Sequence, residues 1–341
     1  MSTKIITLTD VKNLVQAVGY QSFTKQLVAK MRIEFARWNE FEKTARVPFY
    51  RNDGVMELMP ICGPEMFGYK YVNGHPNNPK QNKLTVVGSG LLAKIDTGEP
   101  LLISETTLLT AIRTGATSLL ASQLLARQNS TQYGIIGCGS QSEFQAMAHI
   151  GAFNLKVINY FDIDNKAMDN FAKNMRNCGV KLHPCNSAEE IVKNSDIITT
   201  CTAFAGSQEI IRSEWLEQGQ HINAIGGDSP HKTELDIKIL TQADILVVEF
   251  FDQTVHEGEI QNLKNPQDVV DAELWEIISG IKNGRTSDNQ ITVFDGVGFA
   301  LEDYCTLVLV HELTEQTGTF TKLDMTPELE YPKDLFGLLQ D

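Results

Sequence analysis

The sequence predicts an α/β fold in which a doubly wound parallel sheet follows an α+β region with mostly antiparallel strands. Two observations support this prediction. Between residues 133 and 295, short apolar segments alternate regularly with helical patterns, which is typical of a parallel sheet covered by helices on both faces. Between residues 45 and 103, strand-like segments follow one another and end at turn sequences, which is typical of antiparallel strands.

Length and composition limit the class of protein. The chain has 341 residues, which favours two domains, and its 42% hydrophobic and 21% charged residues are ordinary for a globular enzyme. A net charge of −14 argues against nucleic acid and anionic membranes as partners, because both present negative phosphates. The sequence contains no apolar run of the length of a signal peptide or a membrane span.

The six cysteines form no C-x-x-C pair and show no spacing typical of zinc sites. Most of them lie in apolar contexts, so we expect small buried thiols in a reducing compartment. The sequence therefore predicts no metal site, and the expected location is the cytoplasm.

The first part of the chain begins with helices and continues with strands. Apolar residues at helical spacing between 10 and 42 predict two amphipathic helices. The first strand after them is expected to end at Pro60, and the turn sequence at 96–99 is expected to join the last two strands in a hairpin. The predicted strands are 55–59, 67–72, 84–95 and 100–103.

A long helix from about residue 105 to 127 is predicted next, with Ser104 as its N-cap. The alternating region follows, and a helix over 299–312 closes it. The tail to Asp341 contains two prolines and is expected to pack back on the first domain. The strands predicted in the alternating region are 133–137, 156–162, 196–202, 221–225, 244–249 and 291–295.

The first strand of the alternating region ends in a glycine turn, Gly137-Cys138-Gly139, and a helical pattern follows. In such a strand–turn–helix unit, backbone N–H groups and the helix N-terminus bind the pyrophosphate of a dinucleotide. The third small residue of the fingerprint is Ser142 rather than Gly or Ala. The turn alone is therefore weak evidence.

Asp162 strengthens the prediction of a Rossmann-type domain. It ends the second strand, 25 residues after Gly137, near the spacing of a carboxylate that binds an adenine ribose. The alternative is that Asp162 caps the next helix, a role that Asp164 could also fill. No arginine follows directly to bind a 2′-phosphate, so the sequence favours NAD over NADP.

Charged residues in apolar contexts are the candidates for chemistry. Strand alternation places Glu57 and Lys70 opposite their apolar neighbours, so the two could share one face. Arg113 lies in an otherwise uncharged helical stretch. Asp228 follows a strand and two glycines, and ligands of open α/β sheets bind at such carboxyl ends.

Each of these residues also has an ordinary structural explanation. A Glu–Lys pair on a sheet is usually a solvated surface pair worth less than about 1 kcal/mol. Asp228 could begin a helix that continues through Thr233 and Glu234. The patterns alone name no substrate.

Seven stretches of the chain carry long sequence motifs: MELMP (56–60), FGYKYVNGHPNNP (67–79), DTGEPLLISETTLLTAIRTGATS (96–118), GCGSQSEFQA (137–146), HINAIGGDSPHKTELD (221–236), EGEIQ (257–261) and ITVFDGVGFALEDY (291–304). With these stretches the chain resembles the ornithine cyclodeaminase/mu-crystallin family from about residue 45 to 310. One departure is clear, because the FDSVGFA pattern of the family reads FDGVGFA here and Gly296 lacks the serine hydroxyl.

The resemblance implies a bound NAD that is reduced and reoxidised within one turnover while L-ornithine becomes L-proline and ammonia. It also implies that Asp228 moves protons as the general base of the distal amine, that Glu57 is an active-site carboxylate, and that Val297 lies beside the substrate. The implied ligands of the substrate carboxylate are Arg46, Lys70 and Arg113. The implied cofactor contacts are Thr85, Arg113, Thr114, Gly137, Gly139, Ser140, Gln141, Asp162, Thr202, Asn223, Ala224, Ile225, Gly226, Lys232 and the backbone of Gly296, and Lys333 is a further candidate.

Two domains are expected from the pattern and the resemblance together. Residues 1–113, with 316–341 packing back, would form the substrate-binding and dimerisation domain, and 114–315 the NAD-binding domain. A homodimer is expected because members of the family dimerise through the first domain.

Three other functions stay open at this point. The first is lysine cyclisation to pipecolate, because one methylene is worth only about 1–3 kcal/mol in a pocket. The second is a ketimine reductase or amino-acid dehydrogenase with an exchangeable cofactor. The third is a crystallin-like binding protein without turnover, against which the intact charged residues argue.

Overall fold

The computed structural model describes residues 3–51, 54–203 and 206–340. The first part of the chain forms helices and short strands, with 3₁₀ turns at Trp38–Glu40 and Asn78–Gln81. The elements are β1 (Thr3–Ile6), α1 (Leu8–Val18), α2 (Tyr20–Ala36), β2 (Glu42–Lys43), β3 (Val47–Arg51), β4 (Gly54–Cys62), β5 (Met66–Gly74), β6 (Gly88–Lys94), β7 (Pro100–Glu105) and α3 (Thr107–Leu125).

The second part alternates strands and helices, with short 3₁₀ turns at Ser213–Trp215, Glu259–Asn262, Pro266–Asp268 and Leu335–Leu339. Its elements are β8 (Gln132–Ile136), α4 (Ser142–Ile150), β9 (Val157–Phe161), α5 (Asn165–Met175), β10 (Lys181–Pro184), α6 (Ala188–Lys193), β11 (Ile197–Thr200), β12 (Ser207–Ile211), β13 (His221–Ala224), β14 (Thr233–Leu235), α7 (Ile237–Gln242), β15 (Ile245–Val248), α8 (Phe251–Glu257), β16 (Ala272–Glu273), α9 (Leu274–Ile278), β17 (Thr292–Asp295), α10 (Ala300–Thr317) and β18 (Thr321–Leu323).

The first sheet has the order β18-β1-β7-β6-β5-β4-β2, and β3 also pairs with β4. Its neighbours are antiparallel except for β1 and β7, which run parallel. The prediction of mostly antiparallel strands is therefore confirmed. Helix α10 packs against β4, β5 and β6 and against α2.

Strand β4 does not end at Pro60, which corrects the sequence-based prediction. It continues to Cys62, and Pro60 faces Tyr69 of β5. On the other side of β4, β3 pairs as far as Leu58 and β2 begins at Ile61. Because Pro60 falls in the gap between these two partners, its missing N–H costs no ladder hydrogen bond.

The second sheet is entirely parallel, with the order β10-β9-β8-β11-β13-β17-β15-β16. The chain moves outward from β8 in one direction and then in the other. This is the predicted doubly wound arrangement, and the carboxyl ends of β8, β11, β13 and β17 lie side by side at one edge.

Helix α3 packs against elements of both halves of the chain. It contacts α2 and α10 near the first sheet and β13 and β17 of the second sheet. Ser104 is not its N-cap, because that residue lies in β7 and its hydroxyl donates to the carbonyl of Glu105. The Glu105 carboxylate instead accepts the N–H of Leu108 at 2.6 Å. The domain boundaries at 113 and 315 stay predictions.

The C-terminal tail returns to the first sheet at β18, which pairs with β1 in antiparallel register. Beyond β18 the apolar side chains are exposed, with Phe336 at 67% and Leu339 at 79%. None of the helices in the described ranges combines the length and apolar composition needed to cross a bilayer.

Candidate active site

A cleft of about 630 Å³ lies between the two sheets. Strands β4 and β5 and helix α3 form one wall, and the loops after β8, β13 and β17 form the other. The structure thus brings together most of the side chains that the sequence singled out. The predicted site residues that line the cleft are Arg46, Glu57, Lys70, Thr85, Arg113, Thr114, Gln141, Ile225, Asp228, Lys232, Gly296 and Val297.

Glu57 and Lys70 share one face of the first sheet. Lys70 lies directly opposite Met59, and Glu57 lies two residues before Met59, so strand alternation points both charges into the cleft. Glu57 is 8% exposed and Lys70 is 1% exposed. The alternative of a solvated surface pair is therefore wrong.

Arg46 is held on three sides. Its guanidinium lies 3.2 Å from Glu57, and Nε lies 3.0 Å from Glu257. Nη2 donates to the carbonyls of Val297 and Gly298 at 2.6 and 2.7 Å. Such a network fixes the orientation of a buried cation, which a single ion pair would leave free to rotate.

Lys70 and Arg113 share the carboxylate of Asp303. Lys70 Nζ lies 2.7 Å from one oxygen, and Arg113 Nε lies 3.1 Å from the other. Arg113 also binds Glu302 at 2.8 Å. Gly298 has a φ of 83°, and a Cβ there would lie 2.6 Å from the Arg113 guanidinium, so this loop needs glycine to approach it.

Burial moves the pKa values of Lys70, in the cleft, and of Glu257, beside Arg46, closer to 7. Desolvation, reinforced by the nearby Arg113, lowers the pKa of Lys70 to about 8. Desolvation raises the pKa of Glu257 to about 7, and the positive charge of Arg46 opposes that rise. Three cations therefore face the cleft under mildly acidic to neutral conditions, which suits a ligand with a carboxylate.

Asp228 lies at the rim of the cleft. Its side chain is 53% exposed and pairs with Lys232 at 3.0 Å. No helix begins here, because Thr233 and Glu234 belong to strand β14. The helix-start alternative for Asp228 is therefore wrong, and its carboxylate is accessible from the cleft.

The glycine turn fits the pyrophosphate and ribose of a dinucleotide. Gly137 has a φ of 98°, and a Cβ there would meet the carbonyl of Cys201, whereas the space beside Gly139 is open. Asp162 accepts the N–H of Cys138 at 2.7 Å and that of Asp164 at 2.8 Å. A carboxylate accepts about four hydrogen bonds, so Asp162 retains capacity for ribose hydroxyls.

Two doubts raised by the sequence at this turn are resolved. Asp164, not Asp162, is the N-cap of α5 and accepts the N–H of Lys166 at 2.9 Å. Ser142 occupies the third fingerprint position without a clash, because its buried hydroxyl donates to the Gly139 carbonyl at 2.7 Å. Ser140 is exposed beside the turn. Gln141 is the N-cap residue of α4, and its buried side-chain oxygen has no hydrogen-bond partner among the described residues.

The remaining predicted cofactor residues lie around the ends of β11 and β13. The N–H of Thr202 donates to Glu234 at 2.9 Å, and its hydroxyl donates to the same oxygen. Gly226 is buried beside that carboxylate. Asn223 and Ala224 are fully buried, and the Asn223 amide donates to Ser122 of α3 at 2.9 Å rather than facing the cleft.

Two predicted cofactor contacts, Gly296 and Lys333, differ from the others in their surroundings. At Gly296, a Cβ would lie 2.8 Å from the ring of Phe294 and 3.2 Å from a carboxylate oxygen of Glu249, so a side chain here would crowd both groups. Lys333 is exposed in the C-terminal tail and does not line the cleft. Its role stays a prediction.

Sequence reasoning missed four acidic residues: Glu249, Glu257, Glu302 and Asp303. Two of them follow strands or end helices, where carboxylates are common on protein surfaces. Glu302 and Asp303 carried a detectable signal, since they interrupt the otherwise apolar start of α10 and are 0% and 4% exposed. Two adjacent charges on a buried helix need cationic partners, and Arg113 and Lys70 supply them.

Comparison with known proteins points to one family. The model of the ornithine cyclodeaminase/mu-crystallin family matches residues 9–318. An ornithine cyclodeaminase of Agrobacterium fabrum is 42% identical over 334 residues, covering 98% of this chain and 94% of that protein.

Two solved structures share the fold over nearly the whole chain. A lysine cyclodeaminase, described as recognising L-lysine, L-ornithine and L-2,4-diaminobutyric acid, has a TM-score of 0.91 and 28% identity, covering 99% of this chain and all of that one. An archaeal alanine dehydrogenase dimer with bound NAD has a TM-score of 0.87 and 32% identity, covering 96% of this chain and all of that one.

Proposed function

The chain belongs to the ornithine cyclodeaminase/mu-crystallin family, and we propose that it is an NAD-dependent cyclodeaminase that converts L-ornithine to L-proline and ammonia. One observation carries the proposal. Arg46, Lys70 and Arg113 converge on a buried cleft whose opposite rim carries Asp228. This arrangement matches a substrate with a carboxylate at one end and an amine at the other.

The residues of the chain divide the work of binding and proton transfer. The three cations bind the substrate carboxylate and orient Cα, which is worth much of the acceleration when reacting atoms are held at attack distance. The glycine turn and Asp162 would hold NAD, which would supply reversible hydride transfer at Cα. Asp228 removes a proton from the distal amine, so that the amine can attack Cα and ammonia can leave.

Glu57 contributes through charge and position. Its carboxylate is within hydrogen-bond distance of Arg46 and lines the cleft. It therefore orients that guanidinium and balances part of the positive charge, and it can hold an ammonium group or a water molecule near Cα.

The direct test is to incubate the purified protein with L-ornithine and NAD and to measure products. We expect proline and ammonia in equal amounts with no net release of NADH. NADH released in step with substrate loss would instead indicate an amino-acid dehydrogenase, the activity named for the archaeal relative. Binding of L-ornithine without any product would indicate a binding protein.

Lysine is the second candidate substrate, because the lysine cyclodeaminase of the same fold is described as recognising both amino acids. The competing substrates differ by one methylene, worth about 1–3 kcal/mol. We expect kcat/KM for L-ornithine to exceed that for L-lysine by about tenfold or more, measured with both amino acids under one condition.

The proposal includes a homodimer formed through the outer face of the first sheet. Val47, Leu58 and Tyr71 lie in one cross-strand row, and each is about 40% exposed. Phe49, two residues after Val47 on β3 and therefore on the same face, extends the patch at 57% exposure. A contiguous apolar patch of this kind marks a protein interface.

The substitution Leu58→Lys places a charge in this patch and should yield a monomer in light scattering after size exclusion. Ile281→Lys is the matched control, because Ile281 is 60% exposed in the turn after α9 and lies outside β3, β4 and β5. A dimeric Leu58→Lys variant would contradict the proposed interface.

The six unpaired thiols also fit the proposed location in the cytoplasm.

A further inference from the structure

The loop that contains Val297 and Gly298 is held by hydrogen bonds on two sides. On one side, Arg46 donates to the carbonyls of these two residues, as described above. On the opposite side, one oxygen of Glu249 accepts their N–H groups at 3.1 and 2.6 Å. Glu249 therefore fixes the peptide units against which Arg46 is oriented.

The Glu249 carboxyl group also neighbours a second carboxyl group. It is in side-chain hydrogen-bond contact with Glu302, which in turn binds Arg113 at 2.8 Å. Glu249 is 2% exposed and Glu302 is 0% exposed, so water does not screen the two groups. Two ionised carboxylates at this distance and depth would repel each other strongly.

A shared proton removes this repulsion and satisfies an orphaned atom. Oε1 of Glu302 is buried, and no donor among the described residues reaches it. A protonated Glu249 supplies that donor. Buried polar atoms without a partner are rare in native structures, because each costs about 1–3 kcal/mol.

The charge balance of the cleft leads to the same assignment. Apart from the Asp228–Lys232 pair at the rim, three cations face the four carboxylates of Glu57, Glu257, Glu302 and Asp303. An ionised Glu249 would add a fifth negative charge next to the place where a substrate carboxylate must bind. Burial and the adjacent Glu302 raise the pKa of Glu249 well above its usual range.

We propose that Glu249 is a positioning residue that stays in its acid form, shares a proton with Glu302, and thereby orients both Arg46 and Arg113 toward a carboxylate ligand. Its two contacts reach the two guanidiniums by separate routes. One route runs through the Val297–Gly298 loop to Arg46, and the other runs through Glu302 to Arg113. The inference rests on the proposed function only for the identity of that ligand.

Glu249→Gln is the decisive variant, because an amide keeps both the acceptor for the loop and the donor for Glu302. We expect it to keep kcat/KM for L-ornithine within about threefold of the wild type. Glu249→Ala removes both contacts and should raise KM about 10- to 100-fold, with a smaller change in kcat. At high pH, where the wild type loses the shared proton, its KM should rise more steeply than that of Glu249→Gln.

Infrared spectroscopy tests the proton without depending on turnover. At pH 8 the wild type should show a carbonyl stretch of a protonated carboxyl group that is absent from Glu249→Gln. Glu34→Gln is the matched control, since Glu34 is a buried glutamate on α2 outside the cleft, and it should keep that stretch and the wild-type KM. A wild type with this band but without proline formation would refute the proposed function and leave the proton assignment standing.

Two results would overturn the assignment. One is a folded Glu249→Gln variant whose KM is raised as much as that of Glu249→Ala, because the ionised form would then be the working one. The other is persistence of the whole carboxyl band in Glu249→Gln. If Glu249→Ala unfolds, the amide variant and its spectrum still decide the question.

Discussion

Asp228 and Asp162 both follow parallel strands of the second sheet, yet their surroundings predict different tasks. Asp162 is tied to the glycine turn by two N–H groups. Asp228 has one cationic partner and faces the open rim. A carboxylate held by backbone donors suits fixed recognition of hydroxyls, whereas an accessible one suits proton transfer.

The substitution Asp228→Asn should lower kcat for proline formation by about 10²- to 10⁴-fold and leave NADH affinity unchanged, because an amide cannot accept the amine proton. The matched control is Asp236→Asn at the N-cap of α7, where asparagine caps as well as aspartate. Turnover near the wild-type value in Asp228→Asn would remove this residue from the mechanism.

Asp162 and Asp164 form a second matched pair, only two residues apart. Asp162→Ala should weaken NADH binding by about 10- to 100-fold, since charged hydrogen bonds are worth about 1.5–3 kcal/mol. Asp164→Ala should leave that affinity unchanged and cost about 1 kcal/mol of stability through the lost cap of α5. Fluorescence titration with NADH and thermal unfolding separate the two, and equal affinities would return Asp162 to a structural role.

At the scale of elements, the register of β4 and β5 is what makes the cleft cationic. The pairing of Met59 with Lys70 points the ammonium group inward, and a shift by one residue would turn it to solvent. Burial in this position gives Lys70 a pKa near 8, with Arg113 as the next cause. The charge of one strand residue therefore titrates close to physiological pH.

The KM for L-ornithine should rise above about pH 8, by up to about tenfold per pH unit, because deprotonation of Lys70 removes one cation from the carboxylate site. Steady-state rates between about pH 6.5 and 9.5 measure this rise. Lys70→Met should bind poorly at every pH and lose the dependence. Lys94→Met, on β6 outside the cleft, should keep the wild-type profile, and a pH-independent wild-type KM would contradict the prediction.

The sequence predicted the long and apolar elements well, for physical reasons. Two parallel strands that are buried on both faces appear in the sequence as runs of branched residues, Ile197–Thr200 and Ile245–Val248. The short strands β1, β10 and β18 have three or four residues and depend on partners distant in the chain. Local patterns contain no information on such pairing.

The candidate site was likewise predicted only in part. The cations at 46, 70 and 113 stand out because they lie in apolar surroundings or in long family stretches. Of their counter-charges only Glu57 was predicted, since Glu257 lies at an ordinary helix end and only the fold brings it to Arg46. Pro60 and Ser104 show the limit of local rules, because tertiary pairing overrides a turn signal and a cap signal.

At the scale of the whole molecule, the interior is unusually acidic. Besides the cleft carboxylates, Asp295 at the end of β17 is fully buried, and burial raises its pKa to about 7. Hydrogen bonds from the N–H groups of Glu259 and Ile260 only partly offset this rise.

The free energy of unfolding should therefore fall as the pH rises toward 7. A carboxyl group with a raised pKa binds a proton in the folded state that the unfolded chain has already released, so its stabilisation is complete below about pH 4 and lost through pH 7. For a single carboxyl group such as Asp295, the free energy of unfolding falls by at most roughly 1.4 kcal/mol per pH unit over this interval.

Urea unfolding between about pH 5 and 8, followed by tryptophan fluorescence, measures this slope. Asp295→Asn should flatten it, because the amide does not titrate. Asp271→Asn is the control, since Asp271 is exposed and accepts the N–H of Leu246 at 2.7 Å. It should shift stability without changing the slope, and an unchanged slope in Asp295→Asn would assign the effect to other acids.

Helix α3 has a consequence for how such a protein can evolve. It is one unbroken helix of 19 residues, about 28 Å long, with Arg113 beside the first sheet and Ser122 bonded to Asn223 of the second. A single rigid element thus sets the spacing between the carboxylate site and the strand ends that flank the glycine turn. Mutations of apolar residues that line the rim, such as Val86 and Pro230, can then alter the accepted chain length of an amino acid while the reactive geometry is inherited unchanged.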